Sequence, residues 1–178
     1  MVKLNILDKQ FRLFIPAEKI QQQVQRIADQ INTDLINEDV VFIGILNGAF
    51  MFASDLLRKI NFNSQVSFVK LTSYHGTSST GNVKRLIGVN EVLKDKTVVI
   101  IEDIIDTGHT IESIISQIKG LLPKQVFVAT LLLKPDYFNN DVRIDYIGFR
   151  IPKDFVVGYG LDYKGYGRNL RGLYRIEE

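Results

Sequence analysis

The sequence predicts an α/β fold with a central, mainly parallel sheet flanked by helices. Three observations carry that reading. Several short runs are wholly apolar, as in "VVFIGIL" at 40–46 and "TVVII" at 97–101. Strands buried on both faces read this way, and parallel sheets are covered on both faces. Segments with helical spacing lie between these runs, and strands alternating with helices imply βαβ units.

Each element follows from its own pattern. Pro16 precedes "AEKIQQQVQRIADQINTDLI" (17–36), where Ile20, Val24, Ile27, Ile31 and Leu35 recur at helical spacing. Proline suits a first helical turn. After the strand at 40–46, "NGAFMFASDLLRKI" (47–60) predicts a helix with Phe52, Leu56 and Ile60 on one face. "VSFVKL" (66–71) predicts a second strand and "TVVII" a third. A helix follows Gly108, with Ile111, Ile114, Ile115, Ile118, Leu121 and Leu122 on its apolar side. "QVFVATLLLK" (125–134) predicts a fourth strand and "IDYIGF" (144–149) a fifth. "SYHGTSSTGN" (73–82) is polar and aperiodic, which fits a lid over a site or a solvated hairpin tip equally well. The Gly- and Tyr-rich "VVGYGLDYKGYGRNLRGLY" (156–174) predicts tight turns and aromatic surfaces rather than a helix.

Composition narrows the function classes. The 178 residues fit one domain, 1–178. A net charge of +2, from 22 basic and 20 acidic residues, gives no bulk drive toward nucleic acid or membranes. The absence of Cys excludes disulfides and thiolate catalysis. The charged start "MVKLNILDKQFRLF" does not read as a signal peptide, and no run is long enough to span a membrane. The expected location is the cytoplasm. P-loop, dinucleotide and H-E-x-x-H signatures are absent, and two His with no Cys do not suit structural zinc.

The chemistry concentrates in "VVIIEDIIDTGHT" (98–110). In an open α/β sheet, ligands bind outside the carboxyl ends of the strands. Glu102 and Asp103 fall at that end of the predicted strand, and Asp106-Thr107-Gly108-His109-Thr110 leads into a helix. The free amides and macrodipole of a helix start favour an anion such as phosphate. The carboxylates before it suit hydroxyls or a hard cation such as Mg²⁺. A simpler reading makes Asp106 or Thr107 an ordinary helix cap. A cap needs one acceptor, however, and leaves the two further charges beside a buried strand unexplained.

These residues resemble the phosphoribosyl-pyrophosphate (PRPP) motif of type I phosphoribosyltransferases. The form Glu-Asp-Ile-Ile-Asp-Thr-Gly is similar to the hypoxanthine-guanine branch. Further segments match that branch in order: "ILNGAFMFASDLL" (45–57), "LTSYHGTSSTGNVK" (71–84), "LLLKPD" (131–136) and "FVVGYGLDYKGYGRNL" (155–170). The resemblance implies a core at about 35–150, a small hood from about 1–16 and 151–178, and a mobile loop at about 73–83. It implies Mg²⁺-dependent transfer of 5-phosphoribosyl from PRPP to N9 of hypoxanthine or guanine. The products would be IMP or GMP with pyrophosphate, by a homodimer or homotetramer, without nucleic acid or membrane partners.

The same resemblance assigns roles. Glu102 and Asp103 would contact the ribose hydroxyls, directly or through Mg²⁺, and Asp106 would be the base for the purine proton. Asp106, Thr107, Gly108, His109 and Thr110 would cradle the 5′-phosphate. Lys134 would donate to the 6-oxo group, Phe155 would stack on the purine, and Val156 would read its edge. Asp162, near the 2-position of the purine, would help hold a second Mg²⁺ that pyrophosphate also ligates. Asn47, Gly48, Ser73, Tyr74 and Arg168 would bind pyrophosphate. Asn47 stands where the family often has Lys, which leaves the backbone donors of Asn47 and Gly48 for that contact. In relatives the bond entering this position can be cis, so Leu46–Asn47 is the place to look. Read without the resemblance, Lys134 is an exposed strand-end lysine and Phe155 with Val156 is core packing. The alternatives are a nucleotide- or RNA-binding regulator on the same fold, or a transferase preferring xanthine.

Overall fold

The computed structural model describes residues 3–74, 83–88, 91–138 and 142–177. The elements run β1 (Lys3–Ile6), β2 (Lys9–Ile15), α1 (Ala17–Leu35), β3 (Val40–Leu46), α2 (Phe50–Leu57), β4 (Ser64–Tyr74) and β5 (Val83–Ile87). They continue with β6 (Thr97–Ile105), α3 (His109–Lys119), β7 (Gln125–Leu133), β8 (Tyr146–Arg150), β9 (Val156–Val157) and β10 (Leu173–Ile176). Two sheets result, ordered β5-β4-β3-β6-β7-β8 and β1-β2-β10-β9.

The larger sheet is parallel except for β5, which pairs antiparallel with β4. Its strands alternate sides as the pleat requires. Val40, Phe42, Val99 and Ile101 pack with α1 and α2. Val41, Ile43, Val98 and Ile100 pack with α3. Helices therefore cover both faces, as the apolar strand runs predict. From β3 the chain crosses by α2 to β4, and from β6 it crosses by α3 to β7 on the other side. The order thus reverses between β3 and β6, and such a switch point opens a crevice at the strand ends.

The smaller sheet joins the two ends of the chain. β2 pairs with β1 and with β10, and β10 pairs with β9. Its own core is Ile6, Phe11 and Val157. The strands of this sheet at 3–15, and β5, are elements that the periodicity did not predict.

Other expectations shift at their borders. β6 runs to Ile105 rather than Ile101, because its pairing with β7 continues through Glu102↔Thr130 to Ile105↔Leu133. Glu102 and Asp103 therefore lie within the strand, not beyond its end. α2 is shorter than 47–60, because residues 47–49 form the turn after β3. Most of the polar loop, 75–82, lies outside the described residues, as does His75.

Candidate active site

The crevice at the switch point is a cavity of about 410 Å³. It is lined by Gly48, Asp103, Ile104, Asp106, Lys134, Phe155, Val156, Leu161, Asp162 and Arg168. Eight of these ten are residues named from the sequence; Ile104 and Leu161 are not, since an apolar side chain carries no chemical signal.

Each wall has a local cause. Gly48 follows a cis peptide at Leu46–Asn47. A Cβ on Gly48 would lie 1.6 Å from Asp103 Oδ2, so only glycine lets this loop close over that carboxylate. Asp103 is buried, and its Oδ1 accepts the Ile104 amide at 2.9 Å. Glu102, beside Asp103, does not line the cavity. Its Oε2 is buried and has no hydrogen-bond partner. Burial, and then the neighbouring Asp103 carboxyl, hold the Glu102 carboxyl well above the usual range.

At the next turn, Gly108 takes φ 88° and is the N-cap of α3. Neither Asp106 nor Thr107 is the cap, so the simpler reading of those residues fails. The first amides of α3 point outward by helix geometry. Thr107, His109 and Thr110 are exposed on this rim, outside the cavity, as is Asn47 beside Gly48.

Asp106 faces Lys134 across the cavity, 3.1 Å from Oδ2 to Nζ. The Lys134 side chain is only 12% exposed, so it is not the exposed strand-end lysine of the simpler reading. Asp106 is 49% exposed and ion-paired.

The arch after β9 forms the remaining wall. Gly158, Tyr159 and Gly160 all have positive φ, at 103°, 47° and 101°. A Cβ on Gly160 would lie 2.0 Å from the Gly48 carbonyl oxygen, so arch and loop pack backbone to backbone. Tyr159 is buried, and its hydroxyl donates to Asp55 Oδ2 of α2 at 2.6 Å. Arg168 donates to the Gly160 carbonyl at 2.7 Å and pairs with Asp162 at 2.6 Å. Phe155 is 45% exposed toward the cavity, while Val156 is buried beneath it. Core packing therefore describes Val156 but not Phe155. Ser73 and Tyr74 end β4, next to residues outside the description.

The geometry suits a flat aromatic ligand against Phe155, with a cation and a carboxylate at its edge. An anion fits at the α3 rim and another at Gly48 and Arg168. The chain is similar to known proteins in sequence and in fold. Residues 16–164 match the phosphoribosyl transferase domain model. A hypoxanthine-guanine phosphoribosyltransferase of Staphylococcus aureus is 38% identical over 89% of this chain and 89% of its own length. Among solved structures, a hypoxanthine phosphoribosyltransferase of Staphylococcus aureus superposes with TM-score 0.86 and 34% identity, over 93% of this chain and 91% of that one. A hypoxanthine-guanine phosphoribosyltransferase of Bacillus anthracis gives TM-score 0.86 and 34% identity, over 93% and 98%.

Proposed function

We propose a purine-salvage function on one premise: the chain belongs to the phosphoribosyl transferase domain family and is a phosphoribosyltransferase, a pentosyltransferase, with the type I fold. The reaction is transfer of 5-phosphoribosyl from PRPP to N9 of hypoxanthine or guanine. The N9–C1′ bond forms, the bond from C1′ to pyrophosphate breaks, and the purine proton leaves to a base. IMP or GMP and pyrophosphate result. The observation that carries this reading is the single cavity in which Asp106, Lys134, Phe155, Asp162 and Arg168 meet beside Asp103 and Gly48.

Asp106 takes the proton from N7 while Lys134 donates to the 6-oxo group. The ion pair between them is the state that the purine edge would separate. A buried ammonium selects an oxo over an amino substituent, because two donors cannot pair. Phe155 stacks on the ring and Val156 reads its edge through the backbone. The turn Asp106 to Thr110 cradles the 5′-phosphate at the start of α3. Arg168, Gly48 and Asn47 bind pyrophosphate, where a guanidinium fork matches paired oxygens. Ser73 and Tyr74 complete that side.

Magnesium fits the carboxylates. Glu102 Oε2 is a buried acceptor without a partner, and Asp103 is a hard oxygen donor beside it. Among the described residues no cluster of three or more ligating side chains occurs. That suits an ion held by one or two carboxylates, water and substrate oxygens rather than by an all-protein cage. Glu102 and Asp103 would hold one ion, and Asp162 would help hold another with the lone pairs left by Arg168 and the Gly165 amide. When bound, the metal offsets the charge of the departing pyrophosphate.

A spectrophotometric assay with PRPP, Mg²⁺ and hypoxanthine, guanine or xanthine in turn tests this. Nucleotide should form with hypoxanthine and guanine. A failure to form nucleotide from any of the three would overturn the reading.

A further inference from the structure

We propose that the small terminal sheet carries a second oxyanion site, for a phosphate-bearing small molecule. Lys3 on β1 stands directly opposite Arg12 on β2, and Arg12 directly opposite Arg175 on β10. Opposed residues of antiparallel strands share a face, and like charges so placed repel. Three cations therefore stand in one row. Two carboxylates attend its ends, with Glu177 at 2.7 Å from Lys3 and Asp154 at 3.2 Å from Arg175. Neither pairs with Arg12 in the middle, whose Nε is buried without a hydrogen-bond partner. A buried, charged donor left unpaired is unfavourable, and the centre of the row lacks a countercharge of its own.

The row opens onto a cavity of about 1090 Å³, which Lys153 also lines. Four cations thus face two carboxylates in a concave space of a size that takes a nucleotide-sized ligand. A compact cluster of this kind suits one compact anion, whereas nucleic acid calls for a basic track along a surface. Arginine forks match phosphate oxygens. The fourth place in the row, opposite Arg175, is Val156 at the catalytic cavity. Phe155 lines both cavities, so an occupant of the terminal sheet would lie one side chain from the catalytic crevice.

Amide NMR of the full chain, titrated with inorganic phosphate, tests the site apart from catalysis. Amides at 10–12 and 175–177 should shift and saturate separately from those at 106–110. Arg12→Leu should weaken the first set about tenfold or more and leave the second unchanged. Its thermal midpoint without phosphate should match or exceed the parent's, since one repelling charge leaves the row. Lys153→Ala, on the rim and outside the strands, should weaken the first set as well. Terminal-sheet amides that never saturate, or that saturate alike in all three proteins, overturn the proposal. A short single-stranded RNA that shifts the same amides more tightly than phosphate, with a steep salt dependence, overturns the small-molecule assignment in favour of nucleic acid.

Discussion

Asp106 and Glu102 are four residues apart and sit in opposite electrostatic settings. Asp106 is half exposed and paired with Lys134. Replacing it with Asn keeps its size and removes the proton acceptor. The expected outcome is a fall in kcat of about 10²-fold or more with PRPP affinity largely kept, read by steady-state kinetics and calorimetry. Unchanged kcat would reduce Asp106 to a partner for Lys134. Glu102 bears on stability. Its carboxyl is held well above the usual range by burial and by Asp103, so the folded chain keeps a proton that the unfolded chain releases. That contribution is fully present below the unfolded carboxylate range and is lost as pH rises through the folded value. Urea melts at acid and neutral pH should therefore show the parent losing stability on the way up. Glu102→Gln should flatten that trend and be more stable at neutral pH, while binding PRPP less well. Identical pH profiles would sink this account. The sequence showed that these carboxylates belong to a site. It did not show that Glu102 is buried without a partner while Asp106 stands half exposed at the rim, because that depends on β6 continuing through Glu102 and ending before Asp106, and β7 decides how far β6 runs.

At the scale of elements, the loop after β3 and the arch after β9 form one unit. Gly48 lets the loop rest on Asp103, and Gly160 lets the arch rest on Gly48. Gly48→Ala must displace the Asp103 carboxylate, and a shift of about 1 Å in such a group can cost roughly 10²-fold in kcat/KM. A variant with parental kinetics would show that Asp103 has room to move. Tyr159→Phe tests the strut from the arch to α2. It removes the hydroxyl that Asp55 accepts, at a cost of about 1–3 kcal/mol, which calorimetry would show as a lower Tm. Pyrophosphate affinity should fall with it, since Gly160 and Arg168 ride on the same arch. The helices and the parallel strands were legible because each buries a periodic or continuous apolar set within its own sequence. The Gly-rich arch was legible as turns, but not as the lid of this loop. Its placement rests on backbone contact between residues over a hundred positions apart, which no local pattern encodes.

At the scale of the molecule, the two chain ends close into the sheet that stands over the crevice. Its strands alternate weakly: "KQFRLFI" buries only Phe11 and Ile15, and its pairing partner β10 is more than 150 residues away. The resemblance to a known family implied a hood there, while periodicity alone gave no strand. Phe11 makes this architecture matter to the site. It is fully buried, and its ring centroid lies 6.4 Å from that of Phe155 and 6.0 Å from that of Tyr163. Phe155 in turn meets Tyr163 edge-on at 5.9 Å. Phe155 thus takes its orientation from a strand at the opposite end of the chain. Phe11→Ala should cost about 3–5 kcal/mol, as large-to-small changes at buried aromatics do. It should also raise KM for the purine more than KM for PRPP, because the rim at 106–110 is held by β6 and α3, away from the terminal sheet. Phe42→Ala is the control. Phe42 is as fully buried but lies in β3 at the centre of the large sheet, stacked on Phe62. It should lower Tm comparably and leave the ratio of the two KM values unchanged. If both variants shift that ratio alike, the terminal sheet stabilises the fold without orienting the purine.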